Sequence, residues 1–310
     1  MKRVIVVVAV IMCAAPAAQA RQAAAGTEAG GYEVIANASG FGIDIPGCAE
    51  ASKNIREIAI DELNIDIREV TTGLDVEYRS YAPGQAHWGN VRLTPASPND
   101  PCLADWLADA KAKGIRKNIT VTLFKSDKSP GRSYQLFDVL PISFSPARSG
   151  DEPGTQVLTA QIGRVGFDGG NSQSPRDVAS LNGFIVQPLG KNIPPVVDAA
   201  WESCTGGAET LELHPANFGA NAETKRSYTE VTLRGPLTTS RGWLATLLNE
   251  QARGIDTRIM LRCGNPKGGR GYTFIEAFPV GYVFPRMSVT NTTGNTMEEV
   301  RIKPIRVELK

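Results

Sequence analysis

An internal repeat constrains the fold of this 310-residue chain more than any other feature of its sequence. When the sequence is shifted against itself by 140 positions, residues 91–124 align with residues 231–264 without a gap. A shift of 138 positions continues the match and places Pro141 on Pro279. The matched positions carry mainly apolar and turn residues, so the sequence predicts that two parts of the chain share one fold.

Each copy is predicted to contain one short amphipathic helix. In the first copy, residues 99–100 can cap a helix that begins at Pro101, and Gly114 provides a left-handed stop. In the second copy, Ser240 is the candidate cap and Gly254 is the stop. Apolar residues recur at the spacing of one helical face, and they are Leu103, Trp106, Leu107 and Ala110, then Trp243, Leu244, Leu247 and Leu248.

A β-hairpin and a closing strand are predicted after each helix. Alternating apolar residues form a first arm, a turn follows, and a second arm then begins. Pro141 and Pro279 interrupt the second arms, where they suit a sheet edge or a bulge. The second arms span residues 134–144 and 272–284, and the closing strands span residues 157–165 and 300–309.

The two copies differ most at their beginnings. The predicted opening strands are residues 32–38 and 55–60 in the first copy and residues 183–188 and 210–213 in the second, each pair separated by a cysteine-containing loop. The first copy also carries extra sequence at residues 71–88, which predicts an inserted or lengthened hairpin. Residues 169–182 are rich in Gly, Ser, Asn and Asp and are predicted to form the linker.

Residues 1–20 have the layout of a cleavable signal peptide. Lys2 and Arg3 precede a short apolar run, and small residues end at Ala20, after which we expect cleavage. A retained anchor is the less favoured alternative, because a membrane-spanning helix needs about 20 apolar residues. The mature chain is therefore expected to be secreted or periplasmic, with no membrane anchor after processing.

The charge of the mature chain gives no indication of a polyanionic partner. Of the 33 basic residues, 31 remain after loss of Lys2 and Arg3, against 32 acidic residues. No nucleic-acid or anionic-membrane partner is predicted from this near-neutral balance.

Four cysteines remain after processing, two in each copy. An even number in an exported protein favours disulfides, although spacing alone leaves three pairings open and four buried thiols are the alternative. Cys48 and Cys204 follow the first strands, Cys102 opens a helix, and Cys263 ends the strand that returns beside the other helix. We therefore predict one bridge in each copy, Cys48 with Cys102 and Cys204 with Cys263.

Residue types that catalyse reactions are sparse in this sequence. His87 and His214 are the two histidines, and they do not correspond in the two copies, so a metal site or a histidine-based triad is not predicted. No phosphate-binding loop or nucleophile elbow occurs. Carboxylate pairs such as Glu298 with Glu299 are interpreted as solvated surface charge. We predict no catalytic residues, no cofactor and no metal, and hence no enzyme.

Three segments of the second copy resemble the tail tube protein family of contractile bacteriophages, which is related to the ring protein of type VI secretion. They are TEVTLRGPLTTSR at residues 229–241, FIEAFPVGY at residues 274–282 and EEVRI at residues 298–302. The resemblance implies a small β-barrel with a helix against one opening. It also implies six copies in a ring, rings stacked into a hollow tube, and neighbours joined through sheet edges and long hairpins.

The repeat and the resemblance together predict a mainly β, α+β protein. It would contain two tandem tail-tube-like small β-barrels, each with one short helix, at residues 21–168 and 183–310. The first is the divergent copy. The expected function is that of a non-enzymatic structural subunit of a phage-tail-like ring or tube outside the cytoplasm, with three chains forming a pseudo-sixfold ring.

Two groups of residues are candidate binding or assembly contacts. A basic group in the second copy could line a lumen or contact a neighbour, with an exposed polar face as the alternative, and it consists of Arg258, Arg262 and Arg270. Aromatic residues of the inserted hairpin could serve a secreted binding or adhesion module, which is the alternative function, or could cover a barrel end. They are Tyr78, Tyr81 and Trp88.

Overall fold

The computed structural model describes the greater part of residues 40–309. The described residues are 40–70, 79–98, 100–125, 127–146, 156–168, 185–189, 196–197, 203–206, 209–214, 223–237, 242–255, 258–263, 272–289 and 296–309. The predicted signal peptide and the predicted linker lie outside them. Among the described helices, none is long and apolar enough to span a membrane.

The first half of the chain runs to residue 168. Its strands are β1 Phe41–Asp44, β2 Ile55–Ile60, β3 Leu63–Val70, β4 Ser80–His87, β5 Asn90–Pro95, β6 Lys117–Phe124, β7 Pro130–Pro146, β8 Gln156–Gln161 and β9 Arg164–Asp168. Its helices are α1 Ala49–Lys53 and α2 Pro101–Lys113.

The second half begins at residue 185 in the described part of the chain. Its strands are β10 Ile185–Leu189, β11 Val196–Val197, β12 Ser203–Gly206, β13 Glu209–His214, β14 Glu223–Tyr228, β15 Val231–Pro236, β16 Arg258–Cys263, β17 Tyr272–Val283, β18 Met287–Ser288, β19 Met297–Lys303 and β20 Arg306–Leu309. Its helix is α3 Gly242–Gln251.

The fold is mainly β with few helices, as the sequence predicts. The strands form an eight-stranded sheet, a ten-stranded sheet and the two-stranded β13–β14 hairpin. The fold includes a barrel-shaped sheet that is nearly closed. All the paired strands described are antiparallel, which agrees with the short hairpin connections that the turn residues predict.

The two halves have the same strand order. In the first half the hydrogen-bonded order is β1-β6-β7-β8-β5-β2, and β9 pairs with β7. In the second half the order is β10-β16-β17-β19-β15-β12, and β20 pairs with β17. Helices α2 and α3 also occupy the same place along the chain. Helix α2 follows β5 and precedes β6, and α3 follows β15 and precedes β16.

Two irregularities recur at a spacing of 138 residues. Pro141 and Pro279 both lie where the register of strand pairing shifts, which confirms the predicted bulges. Asp138 and Glu276 are both left-handed, with φ angles of 54° and 53°, a conformation that costs energy for residues other than glycine. The same local distortion therefore turns β7 and β17 from one neighbouring strand to the next.

The ends of α2 agree with the sequence prediction. The Asp100 side chain accepts a hydrogen bond of 3.1 Å from the Leu103 amide, and Pro101 is the first helical residue. Gly114, with a φ angle of 69°, is the left-handed C-cap of α2. Gly254 is also left-handed, with a φ angle of 77°, but it lies three residues after α3 ends at Gln251. Ser240, the predicted cap of α3, lies outside the described residues.

Other boundaries differ from the prediction. Each predicted closing strand is two strands, β8 and β9 or β19 and β20, because a short turn separates them. Cys204 lies within strand β12 and not in a loop. The hairpin predicted at residues 71–88 begins earlier, at Leu63, so it is a lengthened hairpin, and its residues 71–78 lie outside the described part. The opening strand predicted at residues 32–38 lies outside it too.

One hydrophobic core contains residues of both halves. Its fully buried members include Leu93, Leu136 and Val165 from the first half and Leu233 and Phe274 from the second. The sequence predicts two tandem barrels, whereas the structure also joins their sheets, because β3 pairs with β17 and β2 pairs with β18.

A disulfide connects Cys48 and Cys102, the pairing that the sequence predicts for the first half. The two Cα atoms are 5.7 Å apart, and the bond links the residue before α1 to the start of α2. Cys204 is also disulfide-bonded. The side chain of its predicted partner, Cys263, lies outside the described residues, so that pairing stays a prediction.

We expect the double variant C48A/C102A to lose about 2–4 kcal/mol of unfolding free energy, since the bond closes a long loop in the unfolded chain. Urea denaturation of the wild type and the variant would measure the loss. Adding reductant should shift the wild-type midpoint toward that of the variant. Equal midpoints for the oxidised wild type and the variant would contradict a stabilising role.

Candidate functional site

Strand β3 of the first half extends the sheet of the second half. Asn64 pairs with Gly281 and Leu63 pairs with Tyr282. At this point β17 has β19 on one side and β3 on the other. The halves also touch through β4 and β16 and through β7, β9, β18, β19 and α3. We call the contact between β2, β3, β4, β7 and β9 on one side and β16, β17, β18, β19 and α3 on the other the inter-half seam.

Strand β18 forms the second pairing across the seam. Met287 pairs with Ile58, and Ser288 pairs with Glu57 of β2. Beside this pairing, the Arg286 Nε atom lies 2.6 Å from the Glu57 carboxylate. Each half therefore adds a strand to a sheet of the other half.

The β3–β4 hairpin also covers apolar side chains of the second half. Phe278, Val280 and Ile305 form a small buried cluster, and Ile67 and Tyr81 of the hairpin pack against it. These contacts remove apolar surface from water, which is the main favourable contribution to association of this kind. The hairpin is thus held by packing as well as by strand pairing.

At a third point of the seam, a side chain of helix α3 makes hydrogen bonds to the backbone of strand β9. The Asn249 amide of α3 accepts a hydrogen bond of 3.0 Å from the Phe167 N–H and donates one of 2.8 Å to the Phe167 carbonyl. These are the two hydrogen bonds that a neighbouring strand would make, so Asn249 satisfies the outer edge of β9.

Four polar side chains form a closed network inside the seam. Arg132 and Glu298 are buried and form an ion pair of 2.7 Å, and Arg132 also donates to the Tyr134 hydroxyl. The Tyr282 hydroxyl donates to Glu298 over 2.9 Å, and the two tyrosine oxygens are 3.1 Å apart. Because Tyr282 uses its proton on Glu298, Tyr134 is the donor between the two tyrosines.

The buried network changes the protonation equilibria of its members. Burial alone would lower the pKa of the Arg132 guanidinium, but Glu298 and the tyrosine hydroxyls outweigh it and raise that pKa. Burial, together with the Glu298 carboxylate, raises the pKa of Tyr282 well above its usual value. Burial likewise raises the pKa of Tyr134, against the opposing charge of Arg132. Arg132 therefore stays charged and both phenols stay protonated at neutral pH.

Aromatic rings surround this network. Phe167 contacts Tyr134 and Tyr282 edge to face, with ring centroids 5.9 Å and 5.1 Å apart, and stacks on Phe284 at 5.6 Å. Trp88 closes the cluster from the first half, 6.4 Å from Phe167. The rings exclude water, which strengthens the ion pair and makes each of its hydrogen bonds necessary.

The geometry of the seam suits a structural role. The Arg132–Glu298 pair at its centre is buried, whereas the Arg286–Glu57 pair lies at its exposed rim. Within the described residues, no group of three or more His, Cys, Asp or Glu side chains could hold a metal ion. The seam joins two sheets and fixes their register.

Two of the predicted contact residues meet each other at the seam. Arg258 donates a hydrogen bond of 3.0 Å to the Tyr81 carbonyl and forms an ion pair of 3.2 Å with Glu276. The Lys303 ammonium lies 4.6 Å from the centroid of the Tyr81 ring. Tyr81 and Arg258 therefore bind each other within the chain, although the sequence assigned them to separate groups.

The other predicted contacts have different surroundings. Trp88 packs partly buried against the core, as expected for a residue that covers a barrel end. Tyr78 and Arg270 lie outside the described residues, as does the side chain of Arg262. Their proposed role in contacts with another molecule stays a prediction.

The charged members of the seam are not predictable from the sequence motifs alone, and one of them differs from its predicted environment. The sequence predicts solvated surface charge for Glu298 beside Glu299, and this prediction is wrong. Glu298 is buried, because it alternates along β19 with half-buried positions and faces Arg132. The alternation of side chains along a strand, with a period of two residues, could have indicated that Glu298 is buried. Glu298, Val300 and Ile302 share one face, so a charge on that face indicates a buried partner.

Comparison with known proteins gives structural likeness only. No protein-family model and no curated protein matches the chain. Among solved structures, the chain is similar to the tube terminating cap of the anti-feeding prophage, with 15% identity, 42% of this chain and 88% of that chain covered, and a TM-score of 0.35.

Two further solved structures show the same kind of likeness. The sheath/tube terminator of the PVC extracellular contractile injection system has 18% identity, covers 40% of this chain and 90% of its own, and has a TM-score of 0.32. Hcp1 from Flavobacterium johnsoniae has 13% identity, covers 42% of this chain and 95% of its own, and has a TM-score of 0.26.

We expect removal of one member of the buried ion pair to be strongly destabilising. R132M or E298M should each lower the unfolding free energy by about 3–5 kcal/mol, because each leaves the other group buried without its charged partner. The double variant R132M/E298M should be closer to the wild type than either single variant. Urea denaturation of the four proteins would measure this, with the exposed Lys53–Glu50 pair as a control in which K53A has little effect. Additive losses would contradict a coupled network.

Alkaline pH should also destabilise the seam. Both tyrosines have a raised pKa in the folded state, so their contribution is complete below the unfolded value of 10.0 and is lost as pH rises toward the folded values. Denaturation at a series of pH values above neutrality should show this loss of unfolding free energy. The double variant Y134F/Y282F should show a smaller decrease above pH 10, and an unchanged slope would argue against the two phenols.

Proposed function

We propose that this protein is a non-enzymatic structural subunit of a phage-tail-like ring or tube that assembles outside the cytoplasm. The observation that carries the proposal is the strand exchange at the inter-half seam, where two units of equal strand order join sheet edge to sheet edge. Units that associate in this way need no active site, because main-chain hydrogen bonds and buried apolar surface provide the binding energy.

We infer that the chain is an internal duplication of one tail-tube-like unit, divided at residues 169–182. The equal strand order of the halves and the paired irregularities at Pro141 and Pro279 support this. The three segments of the second half that resemble tail tube proteins lie on β15, β17 and β19, which are central strands of its sheet. The resemblance therefore concerns the part of the unit that forms the sheet core.

Two features support the proposed location outside the cytoplasm, the proposed signal peptide and the cysteine chemistry. The Cys48–Cys102 disulfide requires an oxidising compartment to persist, and Cys204 is also disulfide-bonded. The solved terminator named above belongs to an extracellular contractile injection system. We propose that cleavage after Ala20 leaves the mature subunit secreted or periplasmic.

The alternative function, a binding or adhesion module, has less support. It needs Tyr81 and Trp88 available to a ligand, but Tyr81 packs on the cluster of Phe278 and Val280 and Trp88 packs on Phe167. Both residues therefore stabilise the chain itself.

Self-association of the mature chain, residues 21–310, tests the proposal. We expect particles larger than one chain by size-exclusion chromatography with light scattering, and rings of six units built from three chains by negative-stain electron microscopy. Persistent monomers at high protein concentration would contradict the proposed function. A ring of another stoichiometry would overturn the trimer alone.

A further inference from the structure

We propose that copies of this chain bind one another head to tail through a second version of the inter-half seam, an inference that rests on the proposed function. Every unit has a donor side, formed by its hairpin and the start of its long strand, and an acceptor side, formed by the end of the long strand after the bulge. Within the chain, the donor side of the first half binds the acceptor side of the second. The donor side of the second half and the acceptor side of the first remain for another copy.

Strand register defines which residues of the two halves correspond. On the donor side, Tyr134 pairs with Phe167 of β9, and Tyr272 pairs with Leu309 of β20. Since β20 occupies the position of β9, Tyr272 is the counterpart of Tyr134. The spacing is again 138 residues, as in the sequence alignment.

The acceptor sides differ in how well they are covered. Val280, one residue after the bulge proline of β17, is 3% exposed because Ile67 and Tyr81 of the β3–β4 hairpin cover it. Ile142, one residue after the bulge proline of β7, is 49% exposed. The same position is thus buried where a hairpin is docked and open where the described chain supplies none.

The strand edges differ in the same way. At residues 281 and 282, β17 pairs with β19 on one edge and with β3 on the other. At residues 143–146, β7 pairs with β8, and in the described part of the chain no strand occupies its other edge. A strand from another copy can therefore add at this edge of β7.

The donor side of the second half is open as well. Tyr134 is 0% exposed at the inter-half seam, whereas its counterpart Tyr272 is 51% exposed. The hairpin β13–β14 lies between β12 and β15, just as β3–β4 lies between β2 and β5. In the described residues β13 pairs with β14 alone. Leu211 and Leu213 alternate along β13 as apolar residues do along β3.

Single exposed apolar side chains are common on proteins, so exposure alone would mean little. The corresponding residues of the two halves show which exposed side chains are unusual. Ile115 and Ile255, which also correspond, are exposed to 41% and 44%, so they are alike in both halves. The pairs that differ, Ile142 with Val280 and Tyr272 with Tyr134, are those that the inter-half seam buries in one half only.

The proposed contact is directional. The donor and acceptor sides are different surfaces, so the contact is heterologous, and repeated contacts of this kind give a closed ring or an open filament. A symmetric dimer would use one surface twice and would stop at two copies. Variants that each lose one side distinguish the two arrangements.

The experiment uses three variants of the mature chain. I142D places a carboxylate on the acceptor side, Y272D places one on the donor side, and I115D is the matched control, because it changes an isoleucine that is exposed in both halves. We expect I142D and Y272D each to weaken self-association at least tenfold, since burying an unpaired carboxylate costs more than the roughly 1.4 kcal/mol that a factor of ten represents. I115D should associate as the wild type does, and circular dichroism should be unchanged in all three.

Mixing the two defective variants provides the sharper test. I142D keeps its donor side and Y272D keeps its acceptor side, so the mixture should form a dimer of one chain of each and grow no further in analytical ultracentrifugation. If the wild type assembles and I142D assembles equally well, or if the mixture stays monomeric, the head-to-tail inference is wrong while the proposed function survives. If the wild type itself stays monomeric, both are wrong.

Discussion

The buried ion pair between Arg132 and Glu298 is the interaction on which the arrangement of the two halves depends. Each charge has lost its hydration, and that loss is tolerated only while the partner and the two tyrosine hydroxyls keep their positions. The pair spans 166 residues of sequence and joins β7 to β19. A shifted register at β3–β17 or β2–β18 would separate the charges, so a weak two-residue strand pairing becomes specific through the network beside it.

The aromatic rings complement this specificity with binding energy. Phe167 lies between tyrosines of both halves, and its backbone is held by Asn249 from α3. One residue of β9 thus takes part in ring packing, strand-edge satisfaction and exclusion of water from the ion pair. Charge sets the register of the seam, and apolar burial stabilises it.

Much of the fold within each half was predictable from local sequence. Helix α2 is an example, since Asp100 caps it, Pro101 begins it and Gly114 ends it, all in one short segment of sequence. The bulges were predictable because proline cannot donate to a sheet ladder, wherever the partner strand comes from. The alignment of Pro141 with Pro279 also indicated that the two halves share one fold.

The relation between the halves was not predictable in the same way. Leu63 and Tyr282 pair across more than two hundred residues, and no local rule connects them. Glu298 is an example. Beside Glu299 it resembles a solvated surface charge, but its buried partner lies on a distant strand. Tyr81 and Arg258 were each recognised as contact residues, but the contact they make is with each other. Sequence periodicity shows which face of a strand is buried, and only the assembled sheets show what it is buried against.

The covalent connection between the two halves has a consequence for how the protein responds to dilution. Two separate chains would meet at a rate set by their concentration, whereas halves on one chain meet at a fixed effective concentration set by the connection. The Arg132–Glu298 network therefore forms as part of folding, even in very dilute solution. Evolution can retain such a demanding, narrowly specific contact inside a chain because the partner is always present.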